Sequence, residues 1–151
     1  MRIAHLVLSN VYAGIEQHVN ELISLQEKEC EVILICNNEI KDKFDCSKII
    51  AIKNFSRKSP YGLLKLFLLL KRTNLDLIHT HGSKTTSIIN IIRKFTNIKH
   101  IATAHGIKKK TAPFLKADKL IAVSKKIQDS INRESVVINN WSYEYHAGFC
   151  Y

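Results

Sequence analysis

Three histidines stand directly after apolar runs, where a parallel sheet would hand them to a ligand. Ile98-Lys99-His100-Ile101-Ala102-Thr103-Ala104 carries no turn residue until it reaches His105-Gly106. An apolar, β-branched run that ends on a turn signal suits a strand covered on both faces. His105 then stands at the carboxyl end of that strand, the edge at which open α/β sheets bind ligands. A neutral or charged imidazole there can donate to a hydroxyl or to a phosphate oxygen. Leu77-Ile78-His79-Thr80-His81-Gly82 repeats the arrangement. Residues two apart in a strand share a face, so His79 and His81 are candidates to ligate a metal or touch a substrate together. A metal needs a third ligand, and no carboxylate follows close behind. The expectation is therefore no metal, with one of the two histidines packed inside the fold and the other facing the cleft.

Two further places carry chemistry. The Asn10–Gly14 loop precedes a helical pattern, and amides at a helix start hold phosphate; Gly14 serves either close ligand approach or the turn itself. Ser124 reads as a helix cap followed by Lys125-Lys126. Cations oppose that end of the helix dipole, so either an anion sits nearby or both side chains point to water. Lys108-Lys109-Lys110, just past His105, either draws an anion or forms a solvated loop.

The elements that position these residues alternate regularly. Strand patterns fall at Arg2–Leu8, Glu31–Cys36, Ser47–Ile52, Asp76–Thr80, Ile98–Ala104, Lys119–Val123 and Ser135–Ile138. Between them lie helix patterns at Ile15–Glu27, Pro60–Arg72, Ser83–Phe95 and Ser124–Asn132, with Ser83 expected as a cap. In the first helix Ile15, Val19, Leu22, Ile23 and Leu25 make an apolar stripe. Proline suits the opening turn of the second. Strand and helix in alternation predict an α/β fold, a Rossmann-like parallel sheet with helices on both faces.

Composition narrows the function. The 151 residues fit one domain, and a net charge of +10 favours anionic partners. Basic residues are not interleaved with aromatic ones and no reader motif is present, so nucleic acid is disfavoured. Cys30, Cys36, Cys46 and Cys150 are scattered without zinc spacing and are expected as reduced thiols. There is no GxGxxG, so a nicotinamide or flavin fingerprint is absent. No signal-peptide pattern is found, and no run approaches the roughly 20 apolar residues of a membrane span. The nearly all-apolar Gly62–Leu70, flanked by Arg57, Lys58, Lys71 and Arg72, either packs on the sheet or lies on an anionic leaflet.

Ala13-Gly14-Ile15-Glu16-Gln17-His18-Val19, Asp76-Leu-Ile-His-Thr-His-Gly82, Thr103-Ala-His105-Gly106, Ala117-Asp-Lys-Leu-Ile-Ala-Val-Ser124 and Val136-Val-Ile-Asn-Asn140 occur in order at domain-scale spacing. Together they resemble the amino-terminal domain of a family 4 glycosyltransferase of the retaining GT-B type, over about residues 1–140. The resemblance implies two facing Rossmann-like domains, this one on the acceptor side. It implies hexose transfer from a nucleotide-sugar, itself a substrate and not a cofactor, to a lipid-linked or oligosaccharide acceptor in surface polysaccharide or glycan synthesis. The setting is the cytoplasm, peripheral to the inner face of the membrane. On matching positions, Ala13 and Gly14 approach the donor phosphates and His105 is the catalytic residue, against the transferred sugar. His81, Lys84 and Gly106 lie on the acceptor side, and no metal is expected.

Two departures from the family pattern are visible. Ala13-Gly14 replaces a glycine pair, so a methyl narrows the phosphate approach if that position needs a positive φ. Trp141 follows Asn139-Asn140 in place of a glycine, and residues 141–151 resemble nothing in the family. The expectation is a truncated or split enzyme with little transfer of its own, or a noncatalytic module completed by a separate carboxyl-terminal chain.

Overall fold

The computed structural model describes residues 1–107 and 111–139. Seven parallel strands form one sheet: β1 (Arg2–Val7), β2 (Glu31–Asn37), β3 (Ile49–Ile52), β4 (Leu77–His81), β5 (Lys99–Ala104), β6 (Lys119–Ala122) and β7 (Val136–Val137). Their order across the sheet is β3-β2-β1-β4-β5-β6-β7. The chain builds outward from β1 to β3, then crosses to the other side of β1 and builds outward again. The carboxyl ends of β1 and β4 therefore flank the point where strand order reverses, and an open α/β sheet has its crevice there.

Helix α1 (Gly14–Gln26) covers one face, and α2 (Pro60–Thr73), α3 (Ser83–Ile92) and α4 (Lys125–Ser130) cover the other. The alternation of side chains along each strand divides the core accordingly. Val7, Val32, Leu34 and Cys36 pack with Val19 and Ile23 of α1. Ala4, Leu6, Ile33, Ile35 and Ile78 pack with Leu66 and Leu70 of α2 and with Ile88, Ile89 and Ile92 of α3. A further cluster joins Ala102, Ala104, Leu120 and Ala122 to Phe114 and Ile127.

Helix starts follow local chemistry. The Ser59 hydroxyl accepts from the Gly62 amide at 3.2 Å and Pro60 occupies the first turn of α2. Ser124 caps α4, accepting from the Ile127 amide at 3.3 Å. Ser83, expected as a cap, is instead the first residue of α3, and Gly82 caps it at φ +84°, ψ 169°. Only glycine reaches that region without strain, so the sharp exit from β4 just after His81 depends on Gly82. The stripe on α1 is narrower than its leucines suggest: Glu16, Val19 and Ile23 are buried, whereas Leu25 is 39% exposed. The pattern ending at Phe95 is α-helical to Ile92 and closes in a 3-10 turn at Arg93–Phe95. In α2, Gly62, Leu66 and Leu70 face the sheet, which is the packed reading of that helix, while Tyr61, Leu64 and Leu68 remain exposed on its outer side. Among the described residues no helix is long and apolar enough to cross a membrane.

Candidate functional site at the strand-order reversal

The β1 end leads into Ser9–Ala13 and the start of α1. Ala13 has φ −143°, an ordinary extended conformation, so its methyl group causes no backbone strain. Gly14 has no positive φ, and a Cβ built on it meets nothing within 4 Å. The turn therefore does not require this glycine, and its bare Cα faces open space. Glu16 is buried and receives hydrogen bonds from the Ala13 amide at 2.9 Å and the Ser9 hydroxyl at 2.7 Å. Its carboxylate occupies the favourable end of the helix dipole. The Ala13 amide at this helix start is thus already taken by the protein.

Beside this loop, a line of imidazoles runs over the sheet face that α1 covers. Parallel register pairs His5 with His79 and His81 with Thr103, which puts all four side chains on that face. The Gln26 Oε1 lies 2.7 Å from His5 Nε2, His5 Nδ1 lies 3.0 Å from His81 Nε2, and His81 Nδ1 lies 3.1 Å from His105 Nε2. His79 Nε2 pairs with the Thr103 hydroxyl at 2.7 Å. His18 of α1 packs edge-on against His105, with ring centroids 5.2 Å apart. Burial lowers His5 to about 4 and holds His79 and His81 well below the usual imidazole range, with the neighbouring imidazoles adding to the shift. These rings are neutral at pH 7.

The sequence expectation that one of His79 and His81 faces the cleft is corrected: both are buried, at 4% and 5% exposure. His81 supports His105 from beneath and does not itself form the rim. His105 and Gly106 are half-buried at the mouth, and Lys108–Lys110 lie outside the described residues.

Lys84, in the first turn of α3, reaches across to the β1 exit. Its Nζ contacts the Leu8 carbonyl at 3.4 Å and the Asn54 Oδ1, and Asn54 in turn donates to Asn10. Burial, with Arg57 nearby, lowers the Lys84 pKa. Asn10, Glu39, Lys53, Asn54 and Lys84 line a polar cavity of about 340 Å³. The Ser124 helix offers less. Lys125 bonds Gln128 at 2.7 Å and Asp129 at 3.2 Å within its own short helix, so acceptors on the helix itself engage this cation.

His5, His79 and His81 have ligand atoms within 4.8 Å of one another and are the residues that could hold a metal. A proton shared between His5 and His81 at 3.0 Å already occupies the space between two of the ligand atoms. Among the described residues no carboxylate belongs to this group, so a bound dication would keep its full charge in a buried site. The donor set fits a hydrogen-bonded line better than a metal centre.

The family model for Glycosyltransferase Family 4 matches residues 12–140. The chain belongs to glycosyltransferase family 4. This family 4 domain is 26% identical over 121 residues to an Escherichia coli UDP-Gal:alpha-D-GlcNAc-diphosphoundecaprenol alpha-1,3-galactosyltransferase, an alignment covering 70% of the chain and 30% of that relative. Its fold is that of Anabaena HepE, solved with UDP, at a TM-score of 0.73 and 14% identity over 93% of the chain and 44% of HepE. Acinetobacter baumannii MurG is also similar, with a TM-score of 0.67 and 12% identity over 91% of the chain and 44% of MurG. The family 4 domain therefore spans less than half the length of each of these proteins.

Sequence reasoning missed His5, His18, Gln26 and Glu16. His5 sits inside an apolar strand and looked like part of it; pairing β1 with β4 in register would have set it beside His79. His18 lies one helical turn after Gly14, a spacing that returns it to the same side of α1.

Proposed function

We propose that this family 4 domain forms the acceptor-side wall of a crevice in which a hexose passes from a UDP-sugar to a lipid-linked saccharide diphosphate. The observation that carries the reading is the convergence of Gly14, Lys84 and His105 on the carboxyl edge, where strand order reverses. Bare backbone at Gly14 suits the approach of donor phosphates. His105, with Gly106 beside it, suits contact with the transferred sugar. Lys84, with Lys53 across the same polar cavity, suits an acceptor diphosphate, while His81 holds His105 in place. The name of the Escherichia coli relative supports an acceptor of this chemistry, and UDP bound to HepE supports the donor.

The nucleotide itself is then held chiefly by a facing counterpart domain, on this polypeptide or another. A helix start and one histidine contribute only ~2–4 kcal/mol to a nucleotide-sugar, and roughly 4 kcal/mol corresponds to a millimolar Kd. Peripheral contact with an anionic membrane is part of the same proposal. Its support is the exposed side of α2, where Tyr61, Leu64 and Leu68 lie among Lys65, Lys71 and Arg72.

Calorimetry on this chain tests the assignment. UDP-sugars are expected to bind no tighter than about millimolar. A water-soluble saccharide-diphosphate acceptor analogue is expected to bind and to lose roughly tenfold in affinity on Lys84→Ala, since a hydrogen bond to a charged group contributes ~1.5–3 kcal/mol. Micromolar UDP-sugar binding, or acceptor binding indifferent to Lys84, would count against it.

A further inference from the structure

The hydrogen-bonded line has a direction, and one amide sets it. Gln26 Oε1 carries lone pairs and no proton, so His5 Nε2, 2.7 Å away, must donate. A neutral imidazole has a single N–H, which makes His5 Nδ1 an acceptor. His81 Nε2, 3.0 Å from it, is then the donor and His81 Nδ1 the next acceptor. His105 Nε2, 3.1 Å further on, donates to that nitrogen, and the lone pair of His105 is assigned to Nδ1. We propose that Gln26 is a positioning residue that, through His5 and His81, determines which ring nitrogen of His105 carries the proton. Gln26 is the last residue of α1, at the far end of the helix from Gly14. It therefore acts on the rim from the opposite end of the covering helix, without touching it.

The line works only while its members are neutral. Burial keeps His5 and His81 so; of the groups that face them, His79 and His18 are themselves shifted downward, and among the described residues Glu21 beside His18 is the carboxylate that raises the latter. The consequence for recognition rests on the reading of His105 as a ligand contact. A lone pair at Nδ1 accepts, so the group it recognises must donate. For a neutral His105, a sugar hydroxyl meets that requirement and an ionised phosphate oxygen does not. An amide turned the other way, or a donor in place of Gln26, would reverse every proton in the line and give His105 an N–H at Nδ1.

Nitrogen-15 NMR of the imidazole rings in the whole chain at neutral pH reads this directly. His5, His81 and His105 are all expected as Nε2–H tautomers. Gln26→Glu, which keeps an acceptor at the same place, is expected to leave them so, and Gln26→Lys, which can only donate, to convert all three to Nδ1–H. An Nδ1–H tautomer at His105 in the natural chain would overturn the proposal, and this measurement stands even if the lysine variant fails to fold. So would a lysine variant that inverts His5 but leaves His105 unchanged, since the line would then not transmit. The ligand reading fails separately: if a UDP-sugar in large excess leaves the His105 nitrogens unmoved while the tautomers are as expected, the proton line survives and the sugar contact does not.

Discussion

Taking the domain from pH 7 to about pH 4 is expected to remove most of its stability, with the loss beginning near pH 6.5, the ordinary imidazole value. The cause is buried histidine. His5 and His100 are both fully buried and held near 4, His5 by burial, and His100 by burial with Arg93 adding to it. The unfolded chain takes up these protons as pH falls below about 6.5, while the native state refuses them until about 4. Stability is therefore complete above the unfolded value and declines with every proton that only the unfolded state accepts. At 1.36 kcal/mol per pKa unit, His5 and His100 alone remove on the order of 6 kcal/mol, against the ~5–15 kcal/mol typical of a domain. His79 and His81 act in the same direction. Asp118, bonded to Arg93 and to the His100 amide, has a lowered pKa and extends the loss to more acid pH. Urea unfolding at a series of pH values measures this. A free energy that is flat between about pH 7 and pH 4.5 would contradict it, because these histidines would then titrate alike in both states.

The second large effect is expected at Phe114. Its side chain is fully buried among Ala102, Ala104, Leu120, Ile127 and Ile131, and it anchors the chain on its return from the His105 loop. Two long-range bonds hold the same turn: Asn90 Nδ2 donates to the Pro113 carbonyl at 2.7 Å and Arg133 Nη1 to the Phe114 carbonyl at 2.8 Å. Ala102 and Ala104 on β5 are too small to fill the space the Phe114 ring would leave, so the site collapses only in part. Phe114→Ala is expected to cost about 3–5 kcal/mol, the range for a buried aromatic, and to lower Tm by roughly 10 °C. Leu115, 47% exposed next door, is the control, and its alanine variant should stay within about 0.5 kcal/mol of the natural chain. A Phe114 variant that melts with the Leu115 variant would mean that this cluster does not hold the second half of the sheet.

The parallel sheet was legible because β2 reads as an unbroken apolar run and because strand and helix periods alternate along the chain. The carboxyl edge was legible for a similar reason: Gly14 and His105 each follow a strand pattern, and the strands are parallel. What the residues could not disclose was depth. His79, His81 and His105 look equivalent in one dimension, and only register with β1 and the cover of α1 separate the buried pair from the residue at the mouth. Ser83 was expected to cap α3 on its side chain, but Gly82 has the backbone conformation that starts the helix there. For Lys125 the sequence left an anion site and a solvated side chain both open, and Gln128 and Asp129 of its own helix engage it. The residues from Trp141 onward, expected to lie outside the family pattern, fall outside the described residues.

The central claim is that the carboxyl edge at the strand-order reversal is the wall that meets the acceptor. Amide chemical-shift mapping of the chain during titration with a soluble saccharide-diphosphate acceptor analogue tests it most directly. The account predicts shifts concentrated at Gly82, Lys84 and Gly106, the acceptor side of that edge, and smaller ones at Ala13 and Gly14, which it reserves for the donor. Shifts confined to the groove between β3 and α2, or to the opposite edge around Arg2 and Asp76, would contradict it.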